Sequence, residues 1–289
     1  MADRDQGVVN VRVAAIQMTS AAEVEANLAS ARALLVEAKD RGATLASLPE
    51  NFAIMGRKET DKLAVAETEG HGPIQDFLSS TARETGMWIV AGTIPLRMQG
   101  EPNRVAAACL VFDAQGNRMG RYDKIHLFDV DLPDRNERYR ESASIAPGGS
   151  PAVIDTPVGK MGLAVCYDVR FPELFRLMQM QGAEILSVPA AFTAPTGKAH
   201  WEVLMRARAI ENLCYVIAPA QAGVHANGRE TWGDSMIVDP WGVVLDRVTQ
   251  AGSGVAVAEI DRTLQQEVRT RFPALTHRRL DLSSLKMQA

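Results

Sequence analysis

The chain reads as an α/β fold built on mixed β-sheet, on three observations. Short, continuously apolar runs of buried-strand length recur along it. Amphipathic segments of helical period separate many of those runs, and two pairs of runs are joined by turns too short for a crossover. Val11 to Met18 is the first predicted strand, Ala22 to Arg41 an amphipathic helix, and Ala43 to Leu48 a buried strand ending at Pro49-Glu50. Pro73 to Gly86 reads as a helix and Met87 to Pro95 as one strand; Val105–Asp113 and Asn117–Asp123 form a hairpin around Gln115-Gly116. Asp129 to Pro151 reads as a long polar loop. The apolar run ending Leu163-Ala164-Val165-Cys166 follows, with a helix opened by Pro172-Glu173-Leu174 and reaching Gln181. Ala183–Pro189 and Cys214–Ala220 are predicted strands flanking a helix over Lys198–Asn212. Ser235–Asp239 and Gly242–Asp246 flank a Pro-Trp-Gly turn, and Gly254–Ile260 precedes a short final helix. Two packed sheets with helices outside satisfy this pattern, and so does a single doubly wound sheet; periodicity does not choose between them.

Composition narrows the class. The chain has 289 residues, 46% hydrophobic and 23% charged, with a net charge of −4, the profile of a globular protein with a large core. The mild acidity gives no reason to expect nucleic acid or acidic membranes as partners. No linker or composition shift divides the chain. Residues 1–10 read as a flexible N-terminal segment, 11–266 as one domain, and 267–289 as an arm that docks elsewhere, with a second subunit as one candidate surface. Three cysteines, Cys109, Cys166 and Cys214, lie far apart in apolar segments. That spacing is neither a disulfide framework nor a zinc pattern and suits a reducing compartment. The polar N-terminus lacks the apolar stretch of a signal peptide, and no window reaches the roughly 18 apolar residues of a membrane span. The cytoplasm is the expected location.

Three segments carry chemistry. Cys166 stands where a buried strand turns into a helix, and the backbone N–H groups of a helix start are expected to favour its thiolate and a developing oxyanion. Glu50 and Lys124 each stand just past the end of a strand, where ligands gather in sheets of this kind. Hydrolysis of an amide needs a nucleophile, a proton carrier and a counter-charge for the oxyanion. Cys166, Glu50 and Lys124 fill these roles in turn, with the backbone N–H of Tyr167 aiding Lys124. Each residue alone has an ordinary explanation: a buried structural thiol, a charge at a helix start, a solvated lysine on an edge strand. All three at strand ends in apolar surroundings argue for a site.

These segments resemble the nitrilase superfamily of carbon–nitrogen hydrolases, from about Val11 to about Leu282. The resemblance implies an α-β-β-α sandwich and maps the family's Glu-Lys-Cys triad onto Glu50, Lys124 and Cys166. It matches the family's second glutamate, before a Pro-Gly, to Glu141, and implies that this residue positions substrate and supports the lysine. It further implies no metal or organic cofactor, and a homodimer or higher homo-oligomer paired through helices with help from the C-terminal arm. The segments Lys124–Asp131, Cys166–Leu174 and Thr196–Glu202 look like the branch holding deaminated glutathione amidases and ω-amidases. Arg206–Asn212, Ala220–Gly223 and Ser235–Gly242 lean toward the former, while Asp234 stands where that branch often carries His.

The implied reaction is attack by Cys166 on the side-chain-type amide of a 2-oxo acid, through a thioester. For deaminated glutathione the products are 2-oxoglutarate and cysteinylglycine; for an ω-amidase the substrate is 2-oxoglutaramate or 2-oxosuccinamate. A substrate with carboxylates at both ends calls for cationic groups, of which Arg170 is the nearest in sequence. Its rival role is a local salt bridge to Asp168 or Glu173. Tyr139, Phe192 and Thr196 are further candidates to line the pocket. Two enzyme alternatives remain: a Cys–His hydrolase pairing Cys166 with His126 or His200, and a metal hydrolase, for which five scattered histidines show no ligand spacing. An inactive binding or scaffold protein on the same fold is the alternative from another class.

Overall fold

The computed structural model describes residues 11–132 and 137–280. The N-terminal segment 1–10 and residues 281–289 of the expected arm lie outside the described residues. The first half runs β1 (Val11–Gln17), α1 (Val24–Asp40), β2 (Ala43–Ser47), α2 (Asp61–Ala64), α3 (Pro73–Thr85), β3 (Trp88–Val90), β4 (Ile94–Arg97), β5 (Val105–Phe112) and β6 (Arg118–Asp123). A hairpin of β7 (Asp129–Leu132) and β8 (Glu137–Arg140) leads to a 3₁₀ turn, Glu141–Ala143. The second half runs β9 (Ala152–Thr156), β10 (Gly159–Leu163), a 3₁₀ turn Cys166–Arg170, α4 (Pro172–Met180), β11 (Ile185–Ser187), α5 (Ala194–Asn212) and β12 (Tyr215–Ala218). It ends with β13 (Ala222–Val224), β14 (Glu230–Trp232), β15 (Met236–Val238), β16 (Val244–Arg247), β17 (Gly254–Ile260) and α6 (Arg262–Arg271).

Two sheets stack. One has the order β17-β1-β2-β3-β5-β4 with β6 on β5, the other β16-β15-β12-β11-β10-β9. Strands β1, β2 and β3 run parallel, as do β10, β11 and β12, with antiparallel strands at the flanks. The alternation of side chains along β1 explains the layering. Val13 and Ala15 face the second sheet and pack in one core with Leu163, Ile185 and Val216. Ala14 and Ile16 face outward and pack under α1 and α3 with Leu35, Leu78 and Ala82. Helices α4 and α5 cover the far side of the second sheet through Phe175, Met178, Trp201 and Met205. The result is the four-layer α-β-β-α sandwich, which the strand pattern alone left open.

The differences from the sequence reading have local causes. The predicted strand Met87–Pro95 is two strands, because Gly92 takes φ +57° and passes so close to the preceding loop that a Cβ would sit 2.0 Å from Pro49 O. The predicted polar loop Asp129–Pro151 holds the β7–β8 hairpin, whose short polar strands give no apolar alternation. Helix α5 begins at Ala194 rather than Lys198, since Pro195 fits a first turn that lacks backbone partners. Helix α6 crosses the expected 266/267 boundary without a break. Among the described residues no helix is long and apolar enough to cross a membrane.

Candidate active site

Strand ends deliver the three candidate residues to one cleft. Past β2, Pro49 stops the ladder and Glu50 turns inward; Asn51 N donates to Thr93 Oγ1 (2.8 Å), fixing the turn. Past β6, Lys124 is held by Gly148, whose N–H donates to Lys124 O (2.8 Å) and whose missing Cβ leaves room for Asp123 O. Past β10, Cys166 adopts φ +48°, a strained conformation for a non-glycine residue. Asp168, fully buried, over-determines that turn: it accepts from Val165 N (2.8 Å), Tyr122 OH (2.7 Å) and His126 N (2.9 Å). The Cys166 N–H itself donates to Pro189 O (2.8 Å).

The floor of the cleft is an ionic cluster around the buried Lys124. Lys124 Nζ donates to Glu50 Oε1 (2.8 Å) and to both oxygens of Glu141 (2.9 and 2.8 Å), and Phe128 N donates to Glu141 Oε2 (2.7 Å). Burial works to raise the Glu50 carboxyl, but the Lys124 ammonium outweighs it and holds Glu50 below its ordinary value. Burial likewise works to lower Lys124, and the Glu141 and Glu50 carboxylates hold it well above. The Cys166 thiol is pushed up, first by burial and then by the neighbouring Glu50 charge, with Lys124 opposing. This corrects the expectation that the helix start favours the thiolate. The resting group is a neutral thiol beside an ionised carboxylate.

The cleft has a volume of about 180 Å³, and all nine sequence-predicted residues line it: Glu50, Lys124, Tyr139, Glu141, Cys166, Tyr167, Arg170, Phe192 and Thr196. Tyr167 meets Phe128 edge-on (5.2 Å between centroids), and Phe128 tilts against Tyr139 (5.1 Å), forming an aromatic wall. Thr196 Oγ1 lies 2.8 Å from Thr193 Oγ1 at the start of α5. Arg170 makes no salt bridge to Asp168 or Glu173, so the local-pairing alternative fails. Asp168 is spent on the nucleophile turn, and the Arg170 guanidinium lies over Phe192 (5.3 Å) and Tyr167 (5.7 Å).

The alternative histidines are engaged elsewhere. His126 Nδ1 lies 2.7 Å from Asp168 Oδ1 and its ring stacks on Phe171 (3.7 Å, 6°); His200 Nδ1 lies 3.4 Å from the Arg170 guanidinium. Neither lines the cleft. Cys109 and Cys214 are buried away from it, and burial raises both thiols, Cys214 to about 12.

Comparison with known proteins gives the family. The family model described as carbon-nitrogen hydrolase matches residues 12–270. The chain belongs to the carbon–nitrogen hydrolase family. The deaminated glutathione amidase of Yersinia enterocolitica is 44% identical over 96% of this chain and 95% of its own length. That of Homo sapiens is 41% identical over 93% of this chain and 83% of its own. The crystal structure of the Caenorhabditis elegans NitFhit protein superposes with a TM-score of 0.87 at 34% identity, covering 97% of this chain and 68% of that one. Amidohydrolase chemistry follows from the family and these relatives.

Two features of this hydrolase escaped sequence reasoning. Arg229 lines the cleft from the turn between β13 and β14, where Asn227-Gly228-Arg229 reads as a solvated turn. Asp168 reads from the sequence only as a partner for Arg170; its partners Tyr122 and His126 lie 46 and 42 residues away, beyond any local signal. Asp234, the departure from the branch pattern, is outside the cleft. It takes φ +61° and accepts two hydrogen bonds from Arg247 (2.8 and 2.6 Å), so the change alters a peripheral ion pair.

Proposed function

We propose that this hydrolase is a deaminated glutathione amidase that cleaves its substrate to 2-oxoglutarate and cysteinylglycine through a thioester on Cys166. The observation that carries the reading is the Cys166 thiol set beside the Glu50 carboxylate, which Lys124 Nζ engages at 2.8 Å, all three lining one cleft. As the sulfur bonds to the amide carbon, the thiol proton passes to Glu50 and the carbonyl π-bond becomes the oxyanion. Lys124 has its donors engaged by Glu50 and Glu141, so it acts through its charge; the Tyr167 N–H, at the nucleophile's own turn, is the direct donor. The intermediate collapses as Glu50 returns the proton to the departing nitrogen, breaking the C–N bond. Water then attacks the thioester, giving a proton to Glu50, and expulsion of the sulfur with that proton restores the thiol. Glu141 holds Lys124 in register throughout. Near 41–46% identity over most of their length to proteins named deaminated glutathione amidase supports the choice of substrate.

The test compares deaminated glutathione with 2-oxoglutaramate by 2-oxoglutarate release, with Cys166→Ala as control. Preference for deaminated glutathione supports the reading, and preference for 2-oxoglutaramate replaces it with an ω-amidase. Failure of a reactive amide to label Cys166, by mass spectrometry of the folded protein, would return the chain to the binding-protein class.

We infer a homodimer as well, in a reducing compartment such as the cytoplasm, which suits three free cysteines. Support for pairing comes from apolar side chains left in the open. Ile210 (44% exposed) on α5 borders Gly242, and next to it Trp241 (59%) meets Phe272 (51%) edge-on. Sedimentation of the wild type as a dimer that Trp241→Glu dissociates is the expected result; a wild-type monomer would discard it.

A further inference from the structure

The cleft holds more positive charge than its acids neutralise. Lys124 is matched by Glu50 and Glu141, Lys62 donates to Glu59 (2.9 Å), and Arg140 grips both oxygens of Asp131 (2.9 Å each). Arg170 and Arg229 have no carboxylate partner among the described residues. Arg229 is held instead by Ala191 O, to which Nη2 donates, and by the Tyr139 ring, 5.2 Å from its guanidinium. Its Nε is buried and has no hydrogen-bond partner among the described residues. A buried, charged N–H without an acceptor is costly in the free protein and becomes an asset when a ligand brings an anion.

The two guanidiniums enter the cleft from different elements. Arg170 belongs to the nucleophile's own 3₁₀ turn and lies on the Phe192 side, toward α5. Arg229 enters from the β13–β14 turn beside Ala191 and Tyr139, and it lines the same cleft as Glu50, Asn51 and Glu59, its charge reaching the Glu50 and Glu59 carboxyls. Glu50 is the group that hands a proton to the departing nitrogen. An amine departing from Glu50 leaves into the cleft that Arg229 also lines, within reach of an anion-binding guanidinium.

We propose that Arg229 binds the carboxylate of the leaving peptide and so selects amides whose departing amine carries a terminal anion, while Arg170 serves the carboxylate of the acyl part. The proposal rests on the amidase reading above and deepens it. It makes the enzyme's preference for a peptide leaving group over ammonia a property of one side chain.

The experiment measures kcat/KM for deaminated glutathione, for the same compound with its glycine carboxylate as a carboxamide, and for 2-oxoglutaramate. Wild type should lose about tenfold to a hundredfold on the carboxamide, the range for one charged hydrogen-bonding contact. Arg229→Met should lower the ratio of deaminated glutathione to 2-oxoglutaramate by a similar factor, mostly through KM, and lose the discrimination against the carboxamide. Arg229→Lys should recover part of the ratio, and Arg170→Met should depress both substrates together. Equal losses on both substrates in Arg229→Met, or wild-type indifference to the carboxamide, would overturn the assignment. The carboxamide comparison uses wild-type protein, so it decides even where a variant does not fold. A wild type silent on deaminated glutathione but active on 2-oxoglutaramate would instead show that the substrate reading itself had failed.

Discussion

The floor and the mouth of the cleft handle charge in opposite ways. On the floor, Glu50 and Lys124 are buried, Glu141 is half-buried, and the lysine binds both carboxylates before any substrate arrives. At the mouth, Arg170 and Arg229 rest on aromatic rings and a carbonyl, with no carboxylate of their own among the described residues. A group that must move a proton needs a fixed field, and fixed partners supply one without reorganisation. A group that must recognise an anion is better left unpaired, since a resident carboxylate would compete with the ligand. Chemistry and recognition are thus separated within a few residues of each other.

Breaking the floor should have the largest effect. Lys124→Met leaves the buried Glu50 carboxylate and the half-buried Glu141 carboxylate without their shared counter-charge, which should cost about 3–5 kcal/mol of stability. Turnover should fall below detection, as read by denaturant unfolding and 2-oxoglutarate release. A soluble variant retaining a tenth of wild-type activity would contradict both the role of the lysine and the account of the cluster. Asp168→Asn comes next. It keeps the shape of the nucleophile turn but replaces one acceptor oxygen by an N–H facing Val165 N, Tyr122 OH or His126. A loss of about 1–3 kcal/mol is expected. Asp168 acts through the orientation of Cys166, so kcat and the rate of labelling by an electrophile should fall together while KM stays near wild type. A change in KM alone would argue against a positioning role.

The same division explains what the sequence disclosed. Residues that end strands announce themselves: Glu50 after Pro49, Lys124 after an alternating hairpin strand, and Cys166 after a buried run are polar or reactive groups in apolar surroundings. Glu141 carries no such mark, since it sits in a polar stretch; only the resemblance to a family picked it out. Arg229 was invisible because its importance depends on where the β13–β14 hairpin lies in space, brought to the cleft by contacts such as Trp232 N to Phe192 O (3.0 Å). The break at Gly92 left a readable trace, a lone glycine inside an apolar run. Its reason, the approach to Pro49 O, exists only once two segments more than forty residues apart have met.

Asp234→Asn should do little by comparison. It removes the charge of a partly exposed pair with Arg247, which keeps Glu202 as a second partner (3.0 Å), so a loss of about 1 kcal/mol or less is expected. Turnover of deaminated glutathione should stay within about twofold, because the side chain does not line the cleft. A change in substrate ratio in this variant would mean that the peripheral pair is coupled to the mouth.

The smallest expected effect is that of pH, and its smallness is informative. The Glu50 carboxyl lies below its ordinary 4.5 despite burial, because of Lys124. Its contribution to stability is therefore complete above the unfolded value and is lost only as pH falls through the depressed folded one. Lys124 lies well above its ordinary 10.5, because Glu141 and Glu50 outweigh burial, so its contribution is complete below that value and is lost as pH rises through the raised one. Between these limits neither group changes protonation, and the Cys166 thiol, itself raised, stays neutral. Stability from the cluster and kcat/KM should both be flat across about pH 5.5–8, a window that contains the ordinary histidine value near 6.5. A Cys–His pair would place an inflection inside that window. A flat profile that His126→Gln leaves flat keeps proton transfer on Glu50, whereas an inflection near 6.5 that the same substitution removes would move it to the histidine.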